Sequence, residues 1–427
     1  MTRPTRLLNR NFFLLWQGQL VSQVGTQAYI IAMAFWIKHE TASATLMGLI
    51  LMVSLIPSVV LGPIAGTFAD RHSRRKIIIV CDVINGLAVL ALAAVVFLIP
   101  GQTEIIVVCL FAITVLVSTV SAFFRPAISA SIPELVPTEK IAAANSMNQF
   151  SLQISTFIGQ GAGGVLFRVL GAPLLFLIDG LSYLFSAFSE SFITIPQVIP
   201  KKSSIFREKI REFARDTREG FTYMWRNRGL RFLVLTASFL NFLIGPVVVL
   251  LPFFVEDFLQ TTSDWYGYIM AGFGAGAMAG FLAAGAIKFS GRVRGALTIL
   301  SLILMSALVA LLGHVPNQVA ALVIAVMMGM TSGFFNINVS TILQLTTPSE
   351  IRGRVFAVLG TISGGLMPLA MGLTGVIADL LGQNIPLIFA LCGGGSLALT
   401  VAVTMIREFR EYLAFERPSK NAEAEQA

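Results

Sequence analysis

The sequence predicts an all-α polytopic membrane protein: twelve transmembrane helices arranged as two pseudo-symmetric six-helix bundles. Composition is the first observation behind this. Of 427 residues, 56% are hydrophobic and only 12% charged, with a mean hydropathy of +0.81. Soluble domains carry about 25% charged residues, so this chain cannot cover its own surface and must be solvated largely by lipid. The second observation is a succession of apolar runs, each near the roughly 20 residues that cross a bilayer. The third is where the positive charge falls between them.

Spans are expected at 12–37, 46–69, 77–98, 105–124, 142–167 and 172–196, then at 232–255, 264–287, 296–313, 317–345, 353–379 and 384–406. All should be helical, because backbone amides in lipid must be satisfied within their own segment. The first run, Asn11 to Ile37, is too long for the apolar core of a signal peptide and lacks a small-residue cleavage site. Only Arg168, Gly171 and Pro173 mark the turn between the fifth and sixth spans. The longest connector, Gln197 to Arg231, holds ten Lys and Arg residues. Its Ile205, Phe206, Ile210, Phe213 and Phe221 form an amphipathic pattern suited to a helix lying on the membrane surface. The layout is therefore an N-terminal bundle (1–196), a cytoplasmic basic linker (197–231), a C-terminal bundle (232–406) and a cytoplasmic tail (407–427). The tail's end, Pro418 to Ala427, is polar enough to be disordered.

Lysines and arginines concentrate in cytoplasmic loops. With both termini in the cytoplasm of a cell whose inner membrane holds the chain, all but Lys38 and Arg168 of the 30 Lys and Arg residues fall on that side. The net charge of +8 thus reports topology, and no nucleic-acid partner is implied. Cys81, Cys109 and Cys392 sit in or beside apolar runs without pair spacing, so neither a disulfide nor a metal site is expected. An internal repeat supports two halves. Ser121-Ala-Phe-Phe124 with Pro137-Thr-Glu139 recurs, 211 residues on, as Ser332-Gly-Phe-Phe335 with Pro348-Ser-Glu350.

The loop after the second span reads Gly66-Thr-Phe-Ala-Asp70-Arg71-His-Ser-Arg74-Arg75-Lys76. It resembles the signature of major facilitator transporters. The resemblance implies a conformational latch of Gly66, Asp70, Arg71, Arg74 and Arg75, in which the Asp70 carboxylate meets a helix amino end. A finer resemblance, to the macrolide-efflux branch that includes enterobactin exporters, covers almost the whole chain. It is carried by Asn11-Phe-Phe-Leu-Leu-Trp16-Gln-Gly-Gln19, Arg125-Pro126-Ala127 to Pro137, Asp82, Gly353-Arg354-Val355-Phe356 and Ala378-Asp379. Two departures stand out. The fourth span has no mid-membrane arginine, Val117 lying near that position, and Gln160 replaces the proline of the exporters' fifth-span glycine pattern.

The family implies a central cavity lined by the first, fourth and fifth helices of the halves. Helical spacing offers faces for it: Gln19, Gln23 and Gln27 on the first span, Thr114, Ser118 and Ser121 on the fourth, Gln149, Gln153, Thr156 and Gln160 on the fifth. Asn241, Asn336 and Asn338 lie within spans of the second half. Polar groups in lipid are costly, so they should face inward, lining a cavity or bonding helices together. Carboxylates within spans are few. Asp82 enters about 8 Å from the third span's start at 1.5 Å per residue, Asp179 is similarly shallow from the other side, and Glu190 nears the sixth span's end. Asp82 or Asp179 is the candidate for carrying a coupling proton. His39, His72 and His314 occupy loops. The glycines from Gly272 to Gly285 and Pro368 mark closely packed or flexible helices.

The expected function is secondary active export of a small amphiphilic compound, macrolide-like or siderophore-like, by proton antiport and alternating access. The chain should act as a monomer in the lipid bilayer, with no cofactor. No phosphate-binding G-x-x-x-x-G-K-[ST] loop is present, so ATP does not drive it directly. The alternatives are a lysolipid or lipid flippase and a receptor or scaffold that does not transport; the intact Asp70-Arg71 and Arg74-Arg75 pattern argues against the second. An enzyme is not expected, since no nucleophile, base or metal cluster converges in the spans.

Overall fold

Short polar side chains set the helix starts. Asn9, Ser43, Ser73, Asn227, Asn317 and Asn384 each accept a hydrogen bond from a backbone amide two or three residues on, satisfying donors that a first helical turn leaves open. In the computed structural model, which describes residues 6–197, 205–286 and 290–415, these caps open α1 (Arg10–Thr41), α2 (Ala44–Arg71), α3 (Arg74–Leu98), α7 (Arg228–Phe253), α10 (Gln318–Thr346) and α12 (Ile385–Thr404). Between them run α4 (Thr103–Leu135), α5 (Ile141–Glu190), α6 (Ile205–Arg226), α8 (Asp264–Ala286), α9 (Gly291–Leu312) and α11 (Arg352–Leu380), and α13 (Arg407–Leu413) follows. A 3₁₀ turn, Thr138–Lys140, leads into α5, and a π-helical turn, Phe254–Phe258, ends α7.

Eleven helical segments among the described residues are long and apolar enough to cross a membrane. One of them counts twice. At Gly171 the backbone of α5 swings to φ 72°, ψ 168°, which breaks it into two arms, and Pro173 starts the second. Twelve spans result. Large apolar side chains such as Val60, Leu87, Val108, Leu282 and Leu391 stand exposed along them, as a lipid-facing surface requires.

Two boundaries differ from expectation for a physical reason. The Arg125-Pro126 pair suggests an end to the fourth span near 124, yet α4 continues through Pro126 and Pro133 to Leu135. Its added turns bury Ala127, Ile128, Ile132 and Leu135 against Phe12, Leu15, Ile77 and Ile78, so packing overrides the local cost of proline. The sixth span is shorter than 172–196, ending at Glu190. The tail segment Pro418–Ala427 lies outside the described residues, as do the side chains of Ile205, Phe206, Ile210 and Phe213.

The chain divides into two compact units. The first comprises residues 1–213 with 251–271 and 371–380, that is, the first six spans together with one end each of α7, α8 and α11. The second comprises 214–250, 272–370 and 381–427. Each has its own apolar core, and the repeat is visible there: Ile128, Ile132 and Ala144 of the first core stand 211 residues before Val339, Leu343 and Val355 of the second.

In the second unit α6 is tied to the start of α11. Arg354 meets Asp216 at 3.1 Å and Glu219 at 2.6 Å, while Met224 is buried and the Tyr223 hydroxyl donates to the Thr346 carbonyl. Phe221 and Trp225 stack on the exposed side, with the Arg231 guanidinium over the indole. Burial pushes the Tyr412 phenol of α13 up to about 12, so it stays a neutral partner for the Thr346 hydroxyl 2.7 Å away.

In the first unit Asp379, at the end of α11, caps α2 from outside. It accepts the Ser43 hydroxyl at 3.0 Å and the Ala44 and Thr45 amides at 3.0 and 2.8 Å. A carboxylate on a helix amino end is favoured by charge and by hydrogen bonding together. Asp379→Ala is expected to lower stability in detergent by about 1–3 kcal/mol, and Asp379→Asn by less. Thermal or denaturant unfolding of the purified chain checks this, and equal losses in both variants would count against a charge-assisted cap.

Candidate transport cavity

The first unit encloses a cavity of about 400 Å³. From α1 come Gln19, Ser22, Gln23, Thr26 and Gln27; α3 gives Asp82 and Asn85; α4 gives Ser121, Phe124 and Arg125; α5 gives Asn148, Gln149, Leu152, Ser155 and Tyr183. The glutamines of α1 do different work. Gln19 is buried, its amide donating to Glu190 Oε1 at 2.8 Å and reaching Ser186 Oγ at 3.4 Å. Gln23 Oε1 is buried without a hydrogen-bond partner, and Gln27 accepts from the Gln160 amide at 3.0 Å. The Thr26 and Tyr183 hydroxyls meet at 2.9 Å.

Not every expected residue reaches this cavity. Gln149 does, but the α5 face that lines it runs through Asn148, Leu152 and Ser155, one step round from the Gln149–Gln153–Thr156–Gln160 stripe. Gln153 is exposed, and Thr156 bonds back to the Leu152 carbonyl. Thr114 is buried against Met33 Sδ, and Ser118 bonds to the Val115 carbonyl. Asp82 lines the cavity, is 1% exposed, and neither of its carboxylate oxygens meets a donor. Asp179 is equally buried but lies off the cavity lining, beside the Ser182 hydroxyl.

A second cavity of about 400 Å³ lies in the second unit, where Asn241 and Asn336 share the lining with Ser301, Ser306, Thr331 and Ser363. Its polar groups are all neutral. Asn338 is buried and bonds instead to the Phe334 carbonyl.

The loop between α2 and α3 is held within its own unit. Arg74 lies 3.7 Å from Asp70 and 3.8 Å from Glu134, and donates to the Ala130 carbonyl at 2.7 Å. Gln197 bridges the Arg74 amide and the His72 carbonyl, and Arg75 donates to the Ser191 carbonyl. A Cβ at Gly66 would meet nothing within 4 Å. Beside this loop an apolar groove of about 750 Å³, walled by Ile64, Phe68, Val80, Ile84 and Phe123, carries Arg71 and Lys76 at its edge.

On the opposite face of the unit is a cluster that sequence reasoning missed. Lys38, nearly buried at the end of α1, is 2.8 Å from both Glu256 and Asp257 and lies over the Phe253 ring. His39 reaches Glu256 at 2.8 Å, and Arg168 pairs with Asp264 at 2.9 Å. Lys38 and Arg168 are the two basic residues left over by the charge partition. Their isolation, with Glu256, Asp257 and Asp264 together in one later connector, was the available signal. Among the described residues no group of three or more His, Cys, Asp and Glu side chains could hold a metal ion.

Residues 4–426 match the family described as transmembrane secretion effector. The chain belongs to that family of major facilitator transporters. Its members are not enzymes, and the chain is a multi-pass membrane transporter. It is 26% identical over 403 residues to macrolide efflux protein A of Streptococcus pyogenes, covering 94% of this chain and 96% of that one. It is 23% identical over 372 residues to the multidrug efflux pump Tap of Mycolicibacterium fortuitum, covering 86% and 88%. The fold is shared with solved structures: the nucleoside transporter NupG, at TM-score 0.70 and 13% identity over 92% of this chain and 98% of that one, and the D-xylose-proton symporter, at 0.66 and 14% over 92% and 96%.

Proposed function

We propose that the chain exports a small amphiphilic compound, macrolide-like or siderophore-like, across the inner membrane by proton antiport. The observation that carries this reading is the first-unit cavity. It is of drug-pocket size, about 400 Å³, and is lined mostly by neutral amides and hydroxyls, with Phe124, Ile128 and Leu152 for apolar contact, one acid, Asp82, and one base, Arg125. Such a lining fits bulky, weakly specified cargo. The efflux named for two relatives supports the same direction of transport. In this reading Gln19, Gln23, Gln27 and Gln149 contact the cargo, as do Asn241 and Asn336 in the C-terminal bundle, and Asp82 carries the proton. Asp70, Arg71, Arg74 and Arg75 act as the latch of the alternating-access cycle. Both termini face the cytoplasm, the two bundles are joined by the basic linker 197–231, and the chain works as a monomer.

The test is accumulation of labelled erythromycin in a bacterium stripped of its own efflux pumps, with and without a protonophore. Expression is expected to lower accumulation, and the protonophore to reverse this. Asp82→Asn should return accumulation to that of cells lacking the transporter, and Asp70→Asn should slow export. Unchanged accumulation in cells making well-inserted wild-type protein would sink the macrolide reading. A second reading, lysolipid transfer, is favoured by the groove of about 750 Å³ with its apolar walls and basic edge. Transfer of a fluorescent lysolipid between leaflets of proteoliposomes, lost on Lys76→Glu, would select it.

A further inference from the structure

Three acids are buried side by side in the first unit. Asp82, Asp179 and Glu190 are each 1% exposed, and among the described residues none of them forms an ion pair. Asp179 has local company in Ser182. Asp82 and Glu190 differ from it. Both oxygens of Asp82 and Oε2 of Glu190 lack a hydrogen-bond partner, and the two side chains lie close enough to interact electrostatically. The contact surfaces explain how they meet. Helix α3 packs tightly on the second arm of α5, a Cβ at Gly86 falling 3.0 Å from the Gly180 carbonyl, which aligns Asp82 with the Ser186–Glu190 turn.

An isolated pair of carboxylates in a low-dielectric site is very unfavourable without a counter-charge. The groups around this pair do not supply one. Cys81 lies on α3, Tyr29 on α1, and Asp179 and Tyr183 on α5. Arg125 of α4 borders the same cavity but is exposed. A proton is the smallest positive charge that fits, and one proton bridging two carboxylates also gives the orphaned oxygens a donor.

We propose that Asp82 and Glu190 form one paired-carboxyl site holding a single proton between them, and that Gln19 connects this site to the cavity. Gln19 is suited to this because it lines the cavity while its amide is bonded to Glu190 Oε1 at 2.8 Å. Cargo that presses the Gln19 amide onto Glu190 Oε1 favours the charged form of the pair, and the proton leaves to water as H₃O⁺; an amide drawn away into the cavity leaves the proton held. The pair then carries two negative charges until it is reprotonated. This deepens the antiport reading and rests on it for the coupling step. The proton site itself is testable without transport.

The experiment is a pH titration of the full chain in nanodiscs, followed by infrared difference spectroscopy of the protonated-carboxyl carbonyl band. Asp82→Asn and Glu190→Gln are each expected to remove the same band, with the double variant removing no more, since residues acting as a unit are non-additive. Asp179→Asn should leave that band in place, and the swap Asp82→Glu with Glu190→Asp should retain it. Gln19→Leu should keep the band and shift its midpoint. The swap also serves if a single variant fails to fold. Two separate bands that are lost one by one would overturn the proposal, as would a band that follows sodium concentration at constant pH. An intact shared band in a protein that exports no erythromycin would leave the site standing and sink the export reading.

Discussion

Gly329→Leu is expected to abolish recovery of folded protein, whereas Gly394→Leu should be nearly silent. In α10, a Cβ on Gly329 would stand 1.9 Å from the Phe273 carbonyl oxygen of α8, and one on Gly333 would stand 2.2 Å from that of Ala277. The contact is reciprocal, since Cβ atoms at Gly276 and Gly280 would meet the Val326 and Met330 carbonyls at 2.0 and 2.1 Å. These are backbone atoms that no rotamer change can move aside. Leucine there must push α8 and α10 apart over several turns, losing the close packing that holds helices together in lipid. Overpacking of a well-filled core costs about 1–3 kcal/mol, and with rigid backbone on both sides the top of that range or beyond is expected. Gly394 is exposed and would meet nothing within 4 Å. Fluorescence-detected size exclusion of tagged variants gives the comparison, and a monodisperse Gly329→Leu peak at wild-type yield would refute it.

Lys38→Glu should be the second most damaging change. It replaces a nearly buried cation between Glu256 and Asp257 with a third carboxylate. Removing one partner from a buried ion pair costs about 3–5 kcal/mol; exposure of Asp257 moderates this, and the added like charge works the other way. Lys38→Met should cost less, because a side chain of similar length fills the space over Phe253 without adding charge. The exchanged pair Lys38→Glu with Glu256→Lys should recover some of the loss. Unfolding midpoints of the four proteins in one detergent decide the matter. A double variant no better than Lys38→Glu alone would show that the charge pairing contributes little.

What could be read from the sequence divides along physical lines. The span count and the break at Gly171 were legible because lipid demands long apolar runs and because glycine before Pro173 has few other uses. The extension of α4 past Pro126 was not, since its stability comes from Ile128 and Ile132 reaching Phe12 and Ile77 across the unit. Gln19, Gln23 and Gln27 were found by their four-residue spacing, which keeps them on one face of α1. On α5 the same method pointed one step round the helix, because polar residues there also serve contacts such as Gln160 with Gln27. Glu190 sits too near its helix end to look unusual in sequence. Only the fold reveals that it is sealed from solvent beside Asp82. Lys38 and its partners are 218 and 219 residues apart, beyond the reach of any local pattern.

That separation bears on how the protein is made. The first unit is not a continuous stretch of chain; it borrows residues 251–271 and 371–380. When α1 enters the membrane, Lys38 arrives without its counter-charges, and the amino end of α2 arrives without Asp379. At roughly 5–20 residues per second of synthesis, some ten to forty seconds pass before Glu256 emerges. The wait for Asp379 is longer still. The nascent N-terminal half must therefore persist in the membrane as an open intermediate, its far ends uncapped and an unpaired lysine at its edge. Assembly is completed by the last third of the chain, so a ribosome that stops early leaves behind an unfinished bundle for quality control to find.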